Sequence, residues 1–211
     1  MDALNQISTT LALTMGLAWA SGINLYATLL TLGLLANSGN IDLPPDLQIV
    51  ANPLVLGAAG LMYCIEFFAD KTPGVDTGWD AIHTFIRIPA GAMLAAGAIG
   101  DLNPAVEITA AILGGSLAAG THATKAGTRM LINTSPEPFS NWFASLGEDV
   151  AVIGGVWACI NHPALFLGML ALFILLMVWW LPKIWVGIKK ILRFIADLFR
   201  NPPPPDTDGG Q

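Results

Sequence analysis

Residues 66–87 read EFFADKTPGVDTGWDAIHTFIR, six charged residues and a histidine set between apolar runs long enough to enter a lipid bilayer. Insertion into lipid penalises such groups by about 2.5 to 3.5 kcal/mol for an Asp, Lys or Arg at a helix centre. A chain that keeps them there needs a polar interior built from its own side chains. The rest of the sequence reads as the housing for that interior.

Composition agrees. Only 11% of the 211 residues are charged and 54% are hydrophobic, where a soluble domain carries about 25% charged residues. The expected fold class is all-α: a polytopic membrane helical bundle with spans at about 4–36, 53–70, 80–100, 104–132, 139–160 and 163–181. Asn52-Pro53, Asn103-Pro104 and His162-Pro163 each place a polar residue before a proline and an apolar run, the pattern of an N-cap with Pro at the first helical position. Weak points are expected at 21–24 in the first span, at Pro89 in the third and at 120–122 in the fourth. Asp2 stands where a signal peptide would be basic, so no cleaved leader is expected. Cys64 and Cys159 are isolated and read as small packing residues.

Three regions follow: a transmembrane domain over 1–182, an amphipathic interfacial helix over 183–200 entered by a kink at Pro182, and a polar, disordered tail over 201–211. Lys183, Lys189, Lys190, Arg193 and Arg200 follow the last span, which places the C-terminus in the cytoplasm. Alternating six spans then puts Lys71 and Arg129 on the same side, with Asp42, Asp46 and Asp101 opposite. The expected surroundings are a bilayer, in a bacterial inner membrane, with anionic lipids at 183–200 and a second copy of the chain as a partner. No basic-aromatic platform suggests nucleic acid.

Ala20-Ser21-Gly22-Ile23-Asn24 resembles Ala118-Ala119-Gly120-Thr121-His122, and Glu66 has a counterpart in Glu148. With three spans per half, about 1–102 and 103–182, the second half would enter upside down. That is the inverted 3+3 repeat with discontinuous helices from which many secondary transporters build their sites.

Helical spacing sorts the unusual residues into four faces. Glu66 and Asp70 form an acidic face; Asp80, His83 and Arg87 a mixed one; His122, Lys125 and Arg129 a basic one. Asn141, Ser145 and Glu148 form the fourth, with Asp149 beside it. Two readings stand. In one, the acids pair with Arg87, Lys125 and Arg129 as a structural network. In the other, Glu66, Asp70, Glu148 and Asp149 hold a cation or proton, Asn24 and His122 line the two helix breaks, and Arg87, Lys125 and Arg129 balance charge or hold an anionic phosphate or carboxylate group.

SGINLYAT at 21–28, the 66–87 stretch, and GTHATKAGTR at 120–129 with NTSPEPFSNW at 133–142 are similar to the bacterial membrane-protein family DUF4126, over about residues 10–180. The resemblance implies an integral membrane protein and carries no assigned function. More loosely, Glu66-x-x-x-Asp70-Lys71-Thr72 resembles the E-x-G-D-K-T motif of a manganese/calcium exchanger family, with Glu66 one residue farther from the Asp and Ala69 in place of the glycine. No HExxH, GxSxG or Ser/Lys dyad suggests an enzyme, and no motif calls for a cofactor. The functional expectation is a small secondary transporter or channel-like carrier. The alternative is a membrane scaffold that binds lipid.

Overall fold

The structure is a computed structural model that describes residues 2–100, 103–134 and 138–200. Asp101, the Ser135-Pro136-Glu137 turn and the 201–211 tail lie outside the described residues, as do the side chains of Ile195, Phe199 and Arg200. Among the described residues there are six α-helices: α1 Asp2–Asn37, α2 Pro53–Ala69, α3 Val75–Ile99, α4 Pro104–Ile132, α5 Pro138–Asn161 and α6 Pro163–Arg200. A 3₁₀ helix over Pro45–Ala51 leads into α2. No strand occurs among the described residues.

Proline placement sets the helix starts. α2, α4 and α6 begin at Pro53, Pro104 and Pro163. The Asn52 and Asn103 side chains accept hydrogen bonds from the Leu54 and Ala105 N–H groups at 2.9 and 2.8 Å. Each asparagine thus satisfies an amide that the first helical turn leaves free. α3 starts at Val75, before the expected position near 80, because Asp76 accepts from the Gly74 and Thr77 N–H groups and stabilises a first turn.

Small residues bring α1, α3 and α4 together. Gly91 of α3 lies against Ala118 of α4 and Ser21 of α1, and Gly114 against Ala95 and Ala18. A side chain on Gly22 would place its Cβ 2.6 Å from the Ala118 carbonyl oxygen. These contacts fix directions: α3 and α4 are antiparallel, while the first half of α1 runs with α4. On its other side α1 packs Gly16 on Cys159 and Trp19 on Gly155 of α5. α6 runs parallel to α4, since Gly120, Gly127 and Leu131 meet Met177, Ile184 and Gly187 in order.

The break in α1 is real and turns the chain back. Asn24 has φ −147° and ψ 100°. Before it, Ala18 and Ser21 pass Gly91 in the direction opposite to α3. Beyond it, Leu30 lies on Gly60 and Gly33 on Leu56, so this half runs opposite to α2. α2 and α3 are themselves antiparallel, because the 3₁₀ helix that precedes α2 packs Leu47 on Gly97 at the far end of α3. The two halves of α1 therefore oppose one another as a helical hairpin. Asn24 is its corner and caps the second half, accepting from the Ala27 N–H at 2.9 Å.

Three expectations need correction. α4 is continuous through Gly120-Thr121-His122. Thr124 donates to the Gly120 carbonyl at 2.8 Å and the His122 ring is held by neighbours, so nothing draws the backbone out of the helix. The paired break of an inverted repeat is therefore missing from the described residues. α6 runs unbroken through Pro182, and Ile184 and Gly187 pack on α4, so the boundary drawn at 182 falls within a helix. At about 1.5 Å per residue its 38 residues reach roughly 57 Å, well past the bundle. Cys159 is buried as expected, whereas Cys64 faces outward.

Among the described residues four helices are long and apolar enough to cross a membrane, by length and composition alone: Ala3–Asn37, taken across its break at Asn24, Val75–Ile99, Phe139–Asn161 and Pro163–Phe194. The 3₁₀ helix and α2, bent by 63°, would together make a fifth. Large apolar side chains such as Phe68, Phe85, Phe143 and Leu175 are exposed around the outside, compatible with a membrane protein. Replacing Gly22 with Leu is expected to lower stability by about 1–3 kcal/mol or more through overpacking. Gly57→Leu, which meets no atom within 4 Å, should be near neutral; thermal unfolding in detergent measures both.

Candidate functional site

Four helices contribute charge to one buried cluster. Glu66 ends α2, Asp80 and Arg87 lie on one face of α3, Lys125 and Arg129 on α4, and Glu148 on α5. Asp70, just after α2, completes it. Burial is nearly total: Glu66, Asp80, Arg87 and Arg129 have no exposed surface and Asp70 has 2%.

The Lys125 ammonium sits at the centre. Its Nζ lies 2.8 Å from Asp70 Oδ2, 3.5 Å from Glu148 Oε2, 3.6 Å from Glu66 Oε1 and 3.7 Å from Asp80 Oδ1. Arg87 bridges Glu66 at 2.6 Å and Asp80 at 3.0 Å. Arg129 grips Glu148 with two parallel hydrogen bonds, 3.1 and 2.8 Å, and donates to the Asp70 and Asn141 carbonyls. Bidentate, charge-assisted pairs of this kind are the strong ones. The like-charged Glu66 and Asp70, one turn apart, are tolerated because cations from other helices stand between them.

Two histidines brace the cluster. His122 Nδ1 accepts from Arg87 Nη1 at 3.1 Å, so the ring proton belongs on Nε2, which faces the Asp80 carbonyl at 3.1 Å. Thr84 Oγ1 lies 2.8 Å from the same Nε2. His83 stands apart from the ion pairs: it stacks on Trp79, meets the Trp79 carbonyl through Nδ1 and accepts from the Tyr26 hydroxyl. Asn141 supports Arg129 with its carbonyl and donates to Asn133, which donates to Asp76. His122 orients Arg87 and lines no helix break.

Asp149 departs from expectation. No Lys or Arg nitrogen lies within 4.0 Å of it among the described residues. It accepts from the Asn24 side-chain amide at 3.2 Å, at the corner of the α1 hairpin. Sequence reasoning also missed Lys71, Asp76, Asn133 and Tyr26. Lys71 is buried and donates to Ser145 at 3.0 Å while its ammonium lies 3.0 Å from the centre of the Phe67 ring. Asp76 and Asn133 are 57 residues apart, and no local pattern announces that pairing.

Among the described residues no three His, Cys, Asp or Glu side chains converge as a metal would require. Lys125 occupies the position between the acids. A crevice of about 390 Å³ among α1, α4, α5 and α6, lined by Trp19, Thr121, Thr124, Glu148 and Phe173, reaches Lys125. Glu148 keeps 20% of its side chain exposed. Replacing Arg87 with Gln strands Glu66 and Asp80 beside each other, and a loss of about 3–5 kcal/mol is expected. Adding Glu66→Gln should recover part of it; a double-mutant cycle read by thermal unfolding measures the coupling.

No curated protein and no solved structure matches the chain. The family model described as "Domain of unknown function (DUF4126)" matches residues 11–183, and the chain belongs to that family.

Proposed function

We propose that this chain is a small membrane carrier, not an enzyme, that moves an ion or small charged solute through its buried charge cluster. The observation that carries this reading is the Lys125 ammonium ringed by four carboxylates at the end of a crevice that also exposes Glu148. A structural pin between helices has no need of an opening. A carrier needs one, and it needs charges that can exchange an internal partner for a ligand. In this reading α2 to α6 cross the bilayer and the α1 hairpin dips in and returns on one side, in place of six through-spans. All nine Lys and Arg residues then lie on or toward the C-terminal side, which is the cytoplasmic one.

A second reading has its own support. The last turns of α6 project beyond the bundle with Lys183, Lys189, Lys190 and Arg193 exposed, a surface suited to anionic headgroups at about 1 kcal/mol per cation. Here the chain is a lipid-binding scaffold and the ion pairs are structural. Replacing Lys183, Lys189, Lys190 and Arg193 with Gln separates the two, because it spares the Ile184 and Gly187 packing: the carrier keeps its transport and the scaffold loses its lipid affinity.

In liposomes containing the purified chain, Glu148→Gln protein shown by circular dichroism to be folded should slow uptake at least tenfold. If Glu66→Gln and Glu148→Gln proteins move every tested ion and charged solute as the wild type does, the carrier reading is wrong.

A further inference from the structure

The buried charges do not balance. Six carboxylates, Glu66, Asp70, Asp76, Asp80 and Asp149, each at most 6% exposed, and Glu148, with 20% of its side chain exposed, face four buried cations, Lys71, Arg87, Lys125 and Arg129. Two negative charges are left over. An isolated carboxylate in such surroundings takes up a proton rather than remain ionised and uncompensated.

Geometry selects the residue. Glu66, Asp70 and Asp80 each lie within 4.0 Å of a Lys or Arg nitrogen. Asp76 has no ion pair but accepts from the Gly74 and Thr77 N–H groups and from Asn133. Asp149 has less of both: no Lys or Arg nitrogen lies within 4.0 Å of it among the described residues, and its polar neighbours are the Asn24 amide and the Tyr63 hydroxyl. One oxygen accepts a single amide hydrogen, from Asn24, and the other, Oδ2, is buried with no hydrogen-bond partner among the described residues. The ionisable groups that face it are Tyr63 of α2, Asp70 and Lys71 of the turn after α2, and Lys125 of α4. Lys125 is turned to the four acids of the cluster; Lys71 donates to Ser145 and the Phe67 carbonyl and faces Asp149 from beyond 4.0 Å, the nearest thing to a counter-ion that Asp149 has.

We propose that Asp149 is a proton-binding site at the corner of the α1 hairpin. Neutral Asp149 halves the excess, the rest being met by the N–H donors on Asp76 and the exposed part of Glu148, and it accepts the Asn24 amide through its carbonyl oxygen. Loss of the proton puts a charge with no direct ion pair against the residue where α1 leaves helical geometry, Asn24. The hairpin tip is thereby the element that senses the proton. This names the coupling ion of the proposed carrier and rests on that reading for its use in transport, though not for the proton itself.

The test is infrared spectroscopy of the full chain in lipid nanodiscs. A neutral-carboxyl C=O band is expected from the wild type at neutral pH, and it should be absent from Asp149→Asn. Asn24→Ala retains the carboxyl but removes its donor, so there the band should persist and shift; this decides the matter if Asp149→Asn does not fold. A wild type without such a band at neutral pH, or a band that survives unchanged in both variants, overturns the proposal. Transport without the band keeps the carrier and discards the proton site. The band without transport does the reverse.

Discussion

Charge withdrawn from water has to be answered by charge, and in this chain the answer comes from different helices. The Lys125 ammonium on α4 faces carboxylates from α2, the turn after it, α3 and α5. Arg87 and Arg129 extend the pairing to both sides. Removing either partner of a buried pair costs far more than the pair contributes net, so the cluster specifies how four helices are arranged more than it stabilises them. α2 illustrates this. Its side chains are largely exposed, with Ala59, Glu66 and Ala69 the buried ones, and Glu66 is the one that ties it to α3 and α4.

The hairpin in α1 solves a related problem. A helix corner inside an apolar bundle frees backbone N–H groups that no water can satisfy. Asn24 deals with this using its own side chain: the carbonyl caps Ala27 and the amide reaches Asp149. Thr28 adds a bond to the Asn24 carbonyl at 2.8 Å. One residue thus closes the break and links it to the edge of the charge cluster. Close approach of Gly22 to the Ala118 backbone holds the first half of the hairpin in place.

Much of this was legible in the residue order. Proline after asparagine announced two capped helix starts, and 3.6-residue spacing gathered Glu66, Asp80, Arg87, Lys125, Arg129 and Glu148 onto faces that do meet. The symmetry was not legible. Gly-Thr-His at 120–122 looks like Gly-Ile-Asn at 22–24, yet one stays helical and the other turns back. The difference lies in tertiary partners: His122 finds Arg87 and Thr84, whereas Asn24 uses its short side chain on its own backbone. Asp149 reads as a twin of Glu148 but faces another way, since adjacent residues on a helix point about 100° apart. Neither distinction is a local property of the sequence.

The account stands or falls on the chain reversing at Asn24, because a through-going α1 would carry its second half away from α2 and reverse the side on which the N-terminus lies. The direct measurement is labelling of single cysteines by a membrane-impermeant maleimide in oriented vesicles, in a Cys64→Ser background with Gln6→Cys, Ser38→Cys and Lys189→Cys. The hairpin predicts that positions 6 and 38 react from the same side and position 189 from the other. Labelling of position 6 together with 189, and opposite to 38, would contradict it.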